Sequence, residues 1–167
     1  MTMELVSTIT VGSGGAASIE FTGIPGDGKD LQIVLSSRST SAGTLGLIKI
    51  NGVSSGGAAG YTHKFLAGSG SSAFSGGDSF YARAFFANRT ASTANTFGNS
   101  VIYLPNYTST VNKSWSSDSV EENNGTDAYA AIIAGSFTST SAITSLSVLH
   151  ESGDLVQHST ASLYIIS

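Results

Sequence analysis

The sequence predicts an all-β fold, an antiparallel sandwich of two sheets. Three observations point there. Apolar residues recur with period two in one run after another. Those runs are rich in β-branched and aromatic side chains. Turn formers separate them at spacings of about 8–15 residues, the rhythm of sandwiches and barrels. No composition step and no fixed repeat divides the chain, so residues 1–167 read as a single domain.

Taken in order, residues 5–11 and 17–21 are the first strand candidates, and Gly12-Ser13-Gly14-Gly15 is placed to close a hairpin between them. Pro25-Gly26-Asp27-Gly28 reads as a tight turn, Pro presetting one φ and Gly supplying positive φ. Leu31, Ile33 and Leu35 then share one strand face, with Gln32 and Val34 on the other. A strand at 44–50 ends in Asn51-Gly52, a type I′ signal that is either a hairpin turn or the entry to a loop. The Gly/Ser-rich stretches 54–60 and 68–78 read as long loops flanking a strand at 61–67. Phe80, Ala82, Ala84 and Phe86 alternate with Tyr81, Arg83 and Phe85, and Val101 and Tyr103 alternate with Ile102 and Leu104. Later strands fall at 112–120, 128–137, 143–149 and 155–166. Residues 128–134 have a helix-like composition, but Ile132-Ile133 and Gly135 favour a strand. Trp115 and most of the Phe residues are expected in the core.

Composition narrows function. Charged residues are 11% of the chain and the net charge is −4, with no basic stripe for phosphates, so no nucleic-acid partner is expected. With zero Cys, thiol catalysis, disulfides and Cys-based zinc sites are excluded. The longest apolar stretch, Tyr129 to Ala134, is far below the ~20 residues of a membrane span, so no membrane partner is expected. The N-terminal MTMELVSTITV has no basic region before its apolar residues and is not read as a secretory signal.

No catalytic or metal motif stands out. Gly26-Asp27-Gly28-Lys29 lacks the hydroxyl residue and the upstream Gly of a P-loop. His63, His150 and His158 are scattered among strand-like residues, without metal-ligand spacing. Ser and Thr make up 47 of 167 residues, so a Ser beside a His carries little information. The run from Asp118 to Asp127 is read as a solvated hairpin tip with Asn124-Gly125 at its apex; a Ca²⁺ loop is the alternative. The Asn-x-Ser/Thr triplets at Asn88, Asn106, Asn112 and Asn124 are close to chance in such a chain. Tyr61, Tyr107 and Trp115 are candidates for stacking on sugars, with the core as the competing placement.

A chain-long series of short motifs, from about residue 4 to 167, resembles small structural proteins of tailed bacteriophages, cyanophages among them. It runs from Ser18-Ile19-Glu20-Phe21-Thr22-Gly23-Ile24-Pro25 through Leu31-Gln32-Ile33 and Ile50-Asn51-Gly52 to Tyr61-Thr62-His63-Lys64-Phe65-Leu66. It continues with Thr93-Ala94-Asn95-Thr96-Phe97-Gly98, Val101-Ile102-Tyr103-Leu104 and Ala142-Ile143-Thr144-Ser145-Leu146, and closes on Ala161-Ser162-Leu163-Tyr164-Ile165-Ile166. Relatives often carry Gly near the final Tyr-Ile pair, where this chain has Ile165-Ile166. The resemblance implies a β-sandwich displayed on the outer surface of the phage head. It implies capsid decoration, with the major capsid protein and further copies of the chain, as a homotrimer, for partners. A tail-fibre or appendage domain binding host-surface carbohydrate is the alternative.

The expectation is therefore a non-enzymatic jelly-roll sandwich without cofactor or metal, acting by contact area and repetition. The segment from Met1 to Thr10, apolar at Leu5 and Ile9, is a candidate for a projecting or exchanged strand. Residues 54–77 carry Tyr61, Phe65 and Phe74 and are a candidate to order only against a partner. These five side chains are the expected partner contacts.

Overall fold

The computed structural model describes residues 2–55, 59–125 and 128–167. The chain forms two antiparallel sheets from twelve strands among those residues: β1 (Met3–Thr10), β2 (Ser18–Thr22), β3 (Asp30–Ser37), β4 (Leu45–Ile50), β5 (Tyr61–Ser69), β6 (Ser72–Asp78), β7 (Arg83–Phe86), β8 (Gly98–Leu104), β9 (Lys113–Glu121), β10 (Tyr129–Phe137), β11 (Ser145–His150) and β12 (Thr160–Ile166). The larger sheet runs β1-β12-β3-β8-β9-β10-β5-β6 and the smaller β2-β11-β4-β7.

Alternation explains the core. Leu31, Ile33 and Leu35 on β3, Ile102 and Leu104 on β8, and Ala161 and Leu163 on β12 point inward. There they meet Ile19, Phe21, Ile48, Ile50, Leu146 and Val148 of the smaller sheet. Such a two-sided apolar layer is what period-two patterning produces.

Several expectations need correction. Gly12 to Gly15 does form a turn, with Gly15 N–H donating to Gly12 O, but it carries the chain from one sheet to the other and makes no hairpin. Residues 68–78 are mostly the end of β5 and β6, paired from His63↔Asp78 to Ser69↔Ser72. Main-chain pairing needs no large side chains, so the Ser and Gly of this stretch did not prevent a ladder. The segment 54–77 is therefore ordered within the chain over β5 and β6, while residues 56–58 lie outside the described residues. Phe80 lies outside β7 and is exposed; Phe85 and Phe86 are both buried, Phe85 over Gly46 of β4 and Phe86 against Phe65 and Tyr129. Asn51 and Gly52 adopt φ 51 and 75, the type I′ conformation, with Val53 N–H closing on Ile50 O, and the chain then leaves as a loop. β1 pairs along its length with β12 of its own chain, from Met3↔Ile166 to Thr10↔Thr160, and forms an outer edge of the larger sheet.

The smaller sheet is four strands wide and covers only part of the larger one. Its edge strand β7 lies over β9 and β10, and β9 satisfies its open backbone edge with side chains. Trp115 Nε1–H donates to Arg83 O (3.1 Å), Ser117 Oγ–H to Ala84 O (2.5 Å), and Phe86 N–H donates to Ser119 Oγ (2.8 Å). Gly135 of β10 leaves room for the Trp115 ring; a Cβ there would lie 2.0 Å from it. The alternating Trp115-x-Ser117-x-Ser119 pattern thus matches one strand to another's edge. Hydroxyls that looked like surface decoration serve as buried edge partners.

Candidate functional site

The side chains on the outer face of the larger sheet follow from its register. Ser162 pairs with Val34, Val34 with Val101, Val101 with Asp118, Asp118 with Ile132, Ile132 with Leu66, and Leu66 with Ser75. One row across the sheet therefore holds four large apolar side chains, and all four are exposed: Val34, Val101, Leu66 at 58% and Ile132 at 65%. The neighbouring row begins with Leu5, exposed at 52%, beside Tyr164. Around Ile132 and Leu66 the face sinks into a hollow of about 330 Å³, lined also by Ala73, Ala130 and Asp118.

Charge on this face is sparse. Its exposed strand charges among the described residues are Asp118 on β9 and Lys64 on β5. A second carboxylate, Asp30, is buried at the start of β3, where Tyr103 Oη–H donates at 2.6 Å and Asn106 N–H at 2.8 Å. Hydrogen bonding and the nearby Asp30 charge, the hydrogen bond being the larger cause, raise the Tyr103 hydroxyl pKa.

The five expected contact residues divide between the faces. Leu5 lies on the exposed outer face, while Ile9 points to the other side and packs against the core. Tyr61 is a correction: it is 1% exposed, stacked on Phe137 at 4.3 Å and edge-on to Trp115 at 6.2 Å. Its hydroxyl donates to Val53 O and accepts from Ile50 N–H. Burial pushes its pKa up to about 12. Phe65 is half-buried on the inner face, with the Arg83 guanidinium 4.7 Å from its ring centre. Phe74, also on the inner side, remains partly exposed and meets Phe65 and Tyr129 edge-on. Trp115 and Tyr107 are buried and offer no sugar-stacking surface.

The inner side of the extension carries a compact polar group. His63 is buried, and its Nδ1–H donates to Tyr81 O at 3.0 Å, with Asp78 Oδ1 at 3.4 Å. Burial lowers the His63 pKa, outweighing the carbonyl and Asp78, which act to raise it. Burial acts to raise the Asp78 pKa, but the Tyr81 and Phe80 N–H donors and His63 outweigh it and hold it low. Burial likewise lowers the Arg83 pKa. These groups fasten the chain between β6 and β7 against β5. The expected acidic tip is split by strand alternation: Asp118 faces out while Glu121 is fully buried on the other face of β9. Asp127 lies outside the described residues.

The sequence reading did not single out Val34, Val101, Leu66 and Ile132 as contacts, although it placed Val34 and Val101 opposite the core residues. Apolar side chains in the outward phase of a strand were the available signal. Compared with family models, curated proteins and solved structures, the chain matches none.

Proposed function

We propose that the chain is a non-enzymatic virion structural protein of a tailed bacteriophage, decorating the outside of the head by docking the outer face of its eight-stranded sheet onto the major capsid protein. The carrying observation is the exposed apolar row Val34–Val101–Asp118–Ile132–Leu66. Eight strands at ~4.8 Å and about seven residues at ~3.3 Å give this face roughly 800 Å². That matches the ~800 Å² per partner of a stable interface. Few charges need desolvation there, and burying a Leu or Ile is worth about 1.5–3 kcal/mol at most. Symmetric clustering as a homotrimer would multiply a modest single-copy affinity.

What supports the jelly-roll wiring is strand order. β1-β12-β3-β8 packs on β2-β11-β4-β7, and successive strands of this set alternate between the sheets except at β4 and β7, which pair within the smaller one. The hairpins β5–β6 and β9–β10 are then insertions that widen one sheet and extend its docking face.

Cryo-electron microscopy of the intact virion tests the assignment. The expected result is stoichiometric density for this domain on the head. Density on the tail would transfer the protein to the appendage reading, and absence from the particle would refute both.

A further inference from the structure

Four loops meet at one end of the sandwich: residues 11–17, 38–44, 87–97 and 151–159. Backbone hydrogen bonds stitch them together. Ala16 and Leu155 exchange N–H···O bonds at 2.9 and 2.8 Å, Thr40 N–H reaches Asp154 O, Ser39 N–H reaches Asn88 O, Val156 N–H reaches Arg38 O, and His158 N–H reaches Val11 O. The Arg38 guanidinium donates to the carbonyls of Ser92, Thr93 and Thr96 and so pins the third loop. Loops held this way form a preorganised platform, which lowers the ordering cost of binding.

A cleft of about 700 Å³ opens on the platform, lined by Arg38, Asn95, Phe97, Val156, Gln157 and His158. This volume is within the ~300–1,000 Å³ of small-ligand sites. Val156 and Gln157 also line a second hollow of about 290 Å³, beside Gly14, Thr40 and Asp154. The chemistry of the walls is mixed. Phe97 offers an apolar ring edge or face, half-buried and so fixed in place. Asn95, Gln157 and His158 are exposed polar side chains, and Asp154 places a carboxylate in the adjacent hollow. Asn95 and His158 hold left-handed backbone, φ 62 and 73, which sets them on the loop crests.

These walls select among ligand classes. Arg38 is the guanidinium in the cleft lining, and three of its five N–H donors are engaged with backbone carbonyls, while Asp154 in the adjacent hollow would repel an anion. A lipid tail would leave the amides without partners. A ring with hydroxyls on its rim and C–H groups on its face satisfies both the amides and the aromatic side chain. We propose that this cleft binds a short neutral oligosaccharide, with Phe97 as the platform and Asn95, Gln157 and His158 as hydrogen-bonding groups. The site is remote in register from Ile132 and Leu66, so it stands or falls independently of docking.

The test is an amide-resolved NMR titration of the whole chain with maltotriose, cellotriose and triacetylchitotriose in turn. At least one is expected to shift residues 93–97 and 154–158 in a saturable way. The double variant Asn95→Gly, Gln157→Ala should weaken that binding at least tenfold, with the rest of the spectrum unchanged; Gly suits the left-handed backbone at position 95. Phe97→Leu, which keeps an apolar filler, should weaken it as well. The proposal is overturned if none of the three sugars shifts these residues. It is equally overturned if the shifts lie elsewhere, if the double variant binds as before, or if only trigalacturonate, an acidic trisaccharide, binds.

Discussion

The two halves of the larger sheet are held by different means. The strands β1, β12, β3 and β8 lie under the smaller sheet, and continuous apolar contact joins the layers. The strands β9, β10, β5 and β6 lie under its edge strand β7 or beyond it and, among the described residues, join the main core only at one end, through Trp115, Phe137 and Tyr61. Their inner face keeps a small cluster in which Ala67, Ala131 and Ile133 meet Phe86 of β7, bordered by Phe65 and Tyr129. Directed contacts supplement this cluster: Trp115, Ser117 and Ser119 on the β7 edge, and Arg83 over Phe65. The first half is a core. The second is a shelf whose inner side is fastened by specific bonds and whose outer side exposes Ile132 and Leu66, the residues proposed to dock. On the proposed reading, stability and docking are drawn from opposite faces of one sheet.

Substitutions can sharpen that contrast. Ile33→Ala removes a fully buried side chain from the covered half and should cost about 3–4 kcal/mol in urea unfolding, in the range of large-to-small core changes. Ser119→Ala leaves the Phe86 N–H without its hydroxyl acceptor and should cost about 1–3 kcal/mol. Phe74→Ala, at the rim of the shelf, loses two edge-on ring contacts and should cost only about 1 kcal/mol. A cost for Phe74→Ala equal to that of Ile33→Ala would erase the distinction.

A smaller, pH-dependent effect separates the halves further. His63 has a folded pKa below its ordinary 6.5, so the unfolded chain takes up its proton first as pH falls. Stability from this group is complete above about pH 6.5 and declines below it until the lowered folded value is reached. His150, also lowered by burial, acts in the same direction. Urea midpoints at pH 8 and pH 5 should therefore differ in favour of pH 8. His63→Gln should reduce the difference, leaving the part due to His150. An unchanged difference in that variant would remove His63 from the account.

Much of this was legible in the residues, but unevenly. Period-two runs such as Leu31-Gln32-Ile33-Val34-Leu35 announced both the strand and its core face. Asn51-Gly52 announced its turn by chemistry alone. β6 was hidden because Ser72-Ala73-Phe74-Ser75-Gly76-Gly77 pairs through its main chain and buries little. Gly12 to Gly15 misled because a tight turn can link two strands of one sheet or carry the chain across to the other, and local sequence does not separate the cases. Ser117 and Ser119 were uninformative among so many hydroxyls until β7 supplied their partners. The outer row emerged only from register, which brings Val34, Val101, Ile132 and Leu66 together from four strands.

Replacing Ile132 and Leu66 by Lys should leave stability within about 0.5 kcal/mol, since both are mostly exposed. The decisive measurement is the occupancy of this folded variant beside the native chain on phage heads, read by cryo-electron microscopy. The account predicts full density for the native chain, with the eight-stranded face turned to the shell, and near-empty positions for the variant. Equal occupancy of the two, or a native domain docked with that face toward solvent, would contradict it.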